Sequence, residues 1–146
     1  MKKHVDMYTD GSCLNNPGPG GYGIILKYGE HTKELSGGSL NTTNNRMELM
    51  AVIEGLSALK QPCYVSVYTD SQYVVNGIIK GWAKSWRSNG WRKSNGDKAL
   101  NSDLWTVLLN LTDKHECKFI WLKGHSGHPE NERCDTLARN YALSIK

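Results

Sequence analysis

The sequence predicts a mixed α/β fold, a five-stranded mixed sheet flanked by helices. Three observations lead there. Up to about residue 40, short apolar runs are separated by Gly, Asn and Pro turns, without helical periodicity. Beyond that point helix-length segments alternate with apolar runs, so each later strand returns through a crossover and lies parallel to its neighbour. Finally, Val5-Asp6-Met7 and Val65-Ser66-Val67 both run into the same three residues, Tyr8-Thr9-Asp10 and Tyr68-Thr69-Asp70. Strands that end alike suggest two acids brought side by side.

Residues 3–9 form the first predicted strand, Val5 and Met7 alternating with His4, Asp6 and Tyr8. Asp10-Gly11-Ser12 and the run Asn15-Asn16-Pro17-Gly18-Pro19-Gly20-Gly21 read as a turn-rich connection. Residues 22–28 and 32–36 are the next two strands, joined at Gly29-Glu30, and the three together make an antiparallel meander. Gly37-Gly38 then suits a bulge or a strand end.

Asn41-Thr42-Thr43-Asn44-Asn45 supplies capping side chains for a helix over residues 46–60. Its Met47, Leu49, Met50, Ile53, Leu56 and Leu59 predict that most of its surface is buried. Pro62 stops it, and residues 64–69 form a strand. A helix follows from Ser71 to Lys80, with Gly77 as a weak point. Arg87-Ser88-Asn89-Gly90 reads as a helix end with Gly90 at the cap, and residues 94–99 as a loop. Residues 103–113 form a helix with Leu104, Val107, Leu108 and Leu111 on one stripe. Residues 118–122 are the last strand and 123–128 a glycine-bearing loop. In the last helix, 129–143, Pro129 suits the first position, and Glu130 and Glu132 suit the positive end of the dipole.

A chain of 146 residues, 38% hydrophobic, fits one domain with a real core. A mean hydropathy of −0.54 and the lack of a long apolar run argue against a membrane span. Met1-Lys2-Lys3 is followed by strand-like sequence and no apolar signal core, and the four cysteines include no CxxC pair. The expectation is a cytoplasmic protein with reduced thiols. The net charge of +4 is unevenly placed, because residues 80–98 hold six basic side chains and one acid, Asp97. A near-neutral body with one cationic patch fits a polyanion, although a solvated helix face would look similar.

Sites in open α/β sheets form beyond the carboxyl ends of the strands. Asp10 and Asp70 stand there, and His125 follows the last strand within Gly124-His125-Ser126-Gly127. Each acid also has a plainer reading. Asp70 suits a helix N-cap, Asp10 a turn, Glu48 a capping box with Asn45, and Asp135 an i,i+4 pair with Arg139. Against the capping box, Glu48 is embedded in Met47-Glu48-Leu49-Met50, where an unpaired charge is costly. Four acids gathered at one sheet edge repel unless cations lie between them. Oxygen ligands select Mg²⁺ or Mn²⁺, and the basic patch points to phosphate as the substrate group. A zinc site from Cys117, His125, His128 and Cys134 lacks paired ligand spacing and is set aside.

Five stretches then carry a family resemblance: Tyr8-Thr9-Asp10-Gly11-Ser12-Cys13; Asn15-Asn16-Pro17-Gly18-Pro19-Gly20-Gly21-Tyr22-Gly23; Thr42-Thr43-Asn44-Asn45-Arg46-Met47-Glu48-Leu49; Thr69-Asp70-Ser71-Gln72-Tyr73-Val74; and Trp121-Leu122-Lys123-Gly124-His125-Ser126-Gly127-His128-Pro129-Glu130-Asn131-Glu132-Arg133-Cys134-Asp135. Together they resemble bacterial type 1 ribonuclease H along nearly the whole chain. The resemblance implies the ribonuclease H-like fold and hydrolysis of the RNA strand of RNA–DNA hybrids, leaving 3′-hydroxyl and 5′-phosphate ends. It implies that Asp10, Glu48, Asp70 and Asp135 hold two Mg²⁺ ions, with Mn²⁺ as a substitute, and that His125 assists proton movement or product release. It places Gly11, Cys13, Asn16, Asn44, Asn45 and Gln72 along the minor groove, where 2′-hydroxyls mark the RNA strand. Thr43 and Asn101 would grip a DNA phosphate. Residues 81–98 resemble a basic protrusion, with Trp82 and Trp86 against deoxyribose and Lys84 and Arg87 against phosphate.

Asn41 and Leu100 stand where some relatives carry basic residues, which implies a weaker grip on the DNA strand. The chain also ends at Lys146, without the longer tail of several relatives. The expected partner is the hybrid duplex, met by a monomer away from any membrane. Two other readings stand beside this one. The first is a hybrid-binding module that does not cut, for which four clustered carboxylates have no use. The second is a transposase-, integrase- or resolvase-like enzyme acting on DNA, for whose usual extra domains the chain leaves no room. Trp91, Trp105 and Trp121 are expected to pack the interior.

Overall fold

The computed structural model describes residues 2–146; Met1 lies outside them. In chain order the elements are β1 (Lys3–Cys13), β2 (Gly18–Tyr28), β3 (His31–Thr42), α1 (Asn44–Ser57), β4 (Cys63–Thr69), α2 (Gln72–Ile79), α3 (Trp82–Ser88), α4 (Ser102–Lys114), β5 (Glu116–Trp121) and α5 (Pro129–Ile145). The strands form one sheet in the order β3-β2-β1-β4-β5. β1, β2 and β3 pair antiparallel, as a meander does, while β4 runs parallel to β1 and β5 parallel to β4.

Alternation along the strands divides the sheet into two faces. Val5, Met7, Ile24, Leu26, Val65, Val67 and Phe119 turn to one face and join Leu49, Val52, Ile53 and Leu56 of α1, Val74 of α2 and Trp105, Leu108 and Leu109 of α4. On the other face α5 lies across β1, β2 and β3. Gly21 and Gly23 permit that approach, since a Cβ at Gly21 would stand 2.2 Å from the Ala138 carbonyl oxygen, and one at Gly23 2.3 Å from that of Cys134. The glycine-rich stretch expected to be a loop is therefore mostly strand. β1 continues through Asp10-Gly11-Ser12 to Cys13, and β2 already begins at Gly18.

Other boundaries move by a few residues, and three of them bear on the site. β3 passes through Gly37-Gly38 to Thr42, because Tyr22 and Gly21 pair with them. α1 starts at Asn44 with Thr43 as its N-cap, whose Oγ1 accepts from the Arg46 N–H at 3.3 Å. Ser71 caps α2, accepting from the Val74 N–H at 3.2 Å. Neither Asp70 nor Glu48 is occupied by the capping role that rivalled a chemical one. Trp105 is fully buried and Trp91 packs against the core, whereas Trp121 is 44% exposed and so departs from the expectation of an interior residue. All four cysteines are free thiols. Among the described residues no helix is long and apolar enough to cross a membrane.

Candidate active site

The parallel register of β1 and β4 builds the centre. Tyr8 lies opposite Tyr68, their rings stacked with centroids 4.6 Å apart, so the two Tyr-Thr-Asp endings are in step. Asp10 and Asp70 emerge side by side at the same sheet edge. α1 then lies over β1 and delivers Glu48 from its second turn. One carboxylate oxygen from each of Asp10, Glu48 and Asp70 falls within 4.8 Å of the others. Among the described residues no other group of His, Cys, Asp or Glu gathers this closely, so the zinc alternative has no geometry.

These acids line a cleft of about 400 Å³ with Gly11, Ser12, Cys13, Asn44, Asn45, Ser71, Gln72, Tyr73, His125 and Asp135. Asp135 comes from the second turn of α5 and is paired with Arg139. His125 sits at φ 54 on the loop after β5. That loop passes so close to the centre that a Cβ on Gly124 would stand 2.9 Å from Asp70 Oδ2.

Among the described residues no lysine or arginine lines the cleft, and Arg139 reaches only Asp135 from outside it. Asp10 is 5% exposed, and burial, then the charges of Asp70 and Asp135, push its carboxyl up to about 8, although the Gly11 N–H donates to Oδ1 at 3.0 Å. Burial, then Asp10 and Asp70, holds Glu48 well above the usual carboxylate range. Glu48 Oε1 is also buried with no hydrogen-bond partner. An all-oxygen donor set, crowded like charges and an orphaned buried oxygen fit a hard divalent cation.

The remaining predicted residues surround this centre. Asn16 Oδ1 accepts from the Asn44 N–H at 3.1 Å, tying the β1–β2 connection to the start of α1. Arg46 joins Thr43 to Asn101: its backbone N–H bonds Thr43, and its guanidinium donates to Asn101 Oδ1 at 3.2 Å and to Asp103. Asn101 takes a left-handed backbone at φ 62, and its Nδ2 donates to the Tyr73 hydroxyl at 3.1 Å. Asn41 and Leu100 are both exposed near this pair. On α3, Trp82 and Trp86 stack with centroids 6.5 Å apart, Trp82 outward and Trp86 half-buried against Trp105. Lys84 is exposed, and Arg87 stands 3.8 Å from Asp113.

Sequence reasoning missed Ser12, Ser71 and Tyr73 in the cleft wall. Each is next in sequence to a predicted residue. A strand end flowing into a helix start wraps consecutive residues around one cleft, and that was the available signal.

The RNase H family model matches residues 2–143. The chain belongs to the ribonuclease H family. A Ribonuclease H of Desulforamulus reducens is 62% identical over 136 residues, covering 93% of this chain and 86% of that protein. A Ribonuclease H of Syntrophus aciditrophicus is 58% identical over 141 residues, covering 97% and 82%. Among solved structures, LC9-RNase H1, described as a type 1 RNase H with the type 2 active-site motif, superposes with a TM-score of 0.88 at 30% identity, covering all of this chain and 75% of that one. LC11-RNase H1, solved in complex with RNA/DNA hybrid, shares the fold at 22% identity with a TM-score of 0.69, covering 96% and 97%. Membership brings the family's reaction, hydrolysis of RNA paired to DNA, and the acidic triad that its metal chemistry needs is in place.

Proposed function

We propose that this ribonuclease H is an endonuclease that cuts the RNA strand of RNA–DNA hybrids by two-metal-ion hydrolysis, leaving 3′-hydroxyl and 5′-phosphate ends. The observation that carries the reading is the convergence of Asp10, Glu48 and Asp70 within 4.8 Å at the edge of a sheet. Asp135, across the same cleft, completes the set of acids that would hold two Mg²⁺ ions, or Mn²⁺ in their place. Bound there, such ions supply Lewis-acid activation of a water and charge stabilisation on the leaving oxygen.

The chain's own residues do the rest. Burial and neighbouring charge oppose ionisation of Asp10 and Glu48, so the cleft is preorganised to become charged when cations arrive. His125, on its exposed loop, transfers a proton at the cleft mouth or helps product depart. Gly11, Cys13, Asn16, Asn44, Asn45 and Gln72 present small and amide groups to the minor groove, where a 2′-hydroxyl can be sensed. Thr43 and Asn101, held together through Arg46, grip a phosphate of the DNA strand. Trp82, Trp86, Lys84 and Arg87 engage that strand on the protrusion of residues 81–98, which is part of one catalytic domain spanning 1–146. The enzyme works as a monomer in the cytoplasm, a compartment that suits four free thiols.

The test is cleavage of an end-labelled RNA–DNA hybrid with and without Mg²⁺, beside an all-DNA duplex. Mg²⁺-dependent cuts confined to the RNA are expected. Tight hybrid binding without cleavage would make the chain a binding module, and comparable cutting of the DNA duplex would make it a DNA nuclease.

A further inference from the structure

A second groove, also about 400 Å³, adjoins the acidic cleft and shares Gln72 with it. Val75, Asn76 and Lys80 of α2 and its C-cap form one side, and Trp121 at the end of β5 forms the other. Gln72, Val75, Asn76 and Lys80 are spaced as one face of a helix, so the groove runs along α2 away from the acids. Its charge is opposite in sign to the cleft's. Lys80 is the one ionisable group in its lining, and among the described residues no acid lies within ion-pair distance of it. The Lys80 ammonium rests 5.3 Å from the centroid of Trp82, leaving it available to an anion.

Trp121 ties this groove to the chemistry. Its Nε1–H donates to the backbone carbonyl of Asp70 at 3.1 Å, while 44% of the residue stays open to solvent. An indole fixed at one edge and open elsewhere offers a flat, preorganised wall, suited to a sugar ring. Gln72 and Lys80 lie eight residues apart on α2. At 1.5 Å per residue that is about 12 Å, between three and four phosphate steps along one strand at about 3.4 Å each.

We propose that this groove is a remote subsite for the RNA strand, in which Lys80 holds a backbone phosphate two or three nucleotides from the scissile bond and Trp121 lies against the adjoining ribose. The proposal rests on hybrid cleavage in the acidic cleft. It adds a second length of contact on the strand being cut, continuing from the amide-lined groove through the shared Gln72 and bordering the protrusion where Lys80 meets Trp82. Because a rim contact of this kind forms equally in ground and transition states, it changes KM and leaves kcat alone.

The experiment uses hybrids whose RNA is lengthened one nucleotide at a time on either side of a single cleavable position, with Lys80→Ala, Lys80→Arg and, as a charge control, Lys33→Ala. For the wild-type enzyme KM drops by about fivefold, the size expected of one exposed charge contact, when the extension on one side reaches two or three nucleotides. Lys80→Ala abolishes that step, leaves kcat and the KM for short hybrids unchanged, and lowers the slope of log KM against log salt by about 0.9. Lys80→Arg restores the step, and Lys33→Ala keeps it. The inference is overturned if Lys80→Ala retains the length-dependent step, or if it raises KM equally at every length as a diffuse charge effect would. Either result leaves Mg²⁺-dependent hybrid cleavage standing.

Discussion

At the scale of the residue, Asp10 carries the sharpest consequence. Its carboxyl, ordinarily near 3.8, is pushed up to about 8 by burial and by Asp70 and Asp135. An acid raised in this way contributes stability while protonated, fully below about pH 4, and loses it as pH rises through 8. The metal-free protein should therefore lose stability across that window, and Asp10→Asn should lose less, because only the buried Glu48 then remains to be ionised. We expect the melting temperature of Asp10→Asn to match wild type at pH 4 and to exceed it by upwards of about 5 °C at pH 8, since a rise from 3.8 to about 8 is worth several kcal/mol at roughly 3 °C each. Adding Mg²⁺ should raise the wild-type value more than that of the variant, since a ligand that binds only the native state stabilises it by mass action. The same variant should lose cleavage and keep hybrid binding. An equal gain in melting temperature at both pH values would show that the carboxyl is not the strained group.

Among the elements, the joint between α2 and α4 shows what a one-dimensional reading can and cannot deliver. Gly77 looks like a flaw in α2 when only helix propensity is considered. In the folded chain a Cβ there would stand 2.3 Å from Cη2 of Trp105. That indole is buried, crosses Trp86 edge-on at 6.3 Å, and donates Nε1–H to the Tyr73 hydroxyl at 2.9 Å. Gly77→Ala should thus destabilise by about 1–2 kcal/mol, overpacking outweighing the gain in propensity. Thermal melts check the loss of stability, and no loss would mean that α4 can retreat freely.

Trp105 is far from Gly77 in sequence, so nothing in the sequence near Gly77 announces the contact. The same holds for Gly21, read as a loop residue, and for Gly23, read as strand without sign of its purpose, since both make room for α5. By contrast, the paired Tyr-Thr-Asp endings were legible. Period-two patterning fixes which side chains face inward, and the parallel register keeps the two endings in step although β1 runs on to Cys13. Glu48 was legible for a different reason, as a charge among Met47, Leu49 and Met50 with no partner in its own helix. Ser12, Ser71 and Tyr73 were not, because their roles depend on how neighbouring chain ends curl around a cleft.

For the whole molecule, the distribution of charge matters more than its sum of +4. Four acids crowd one cleft, while the cations of residues 84–98 lie on and beyond α3, so a polyanion is drawn to a surface adjacent to the centre that cuts it. Binding and chemistry should then separate under mutation. Replacing Lys84, Arg87 and Arg92 together by Ala should raise KM at physiological salt and reduce the salt dependence of log KM by about two to three, with kcat close to wild type. Lys84 should account for the largest part. Arg87 already stands 3.8 Å from Asp113, and the Arg92 guanidinium donates to the Gly96 carbonyl at 3.0 Å, so both must share their charge with the protein. Steady-state kinetics from about 50 to 200 mM salt on one hybrid measure both quantities. A triple variant with wild-type salt dependence would mean that the duplex does not lie across α3, and the path of the DNA strand would have to be redrawn without moving the acids.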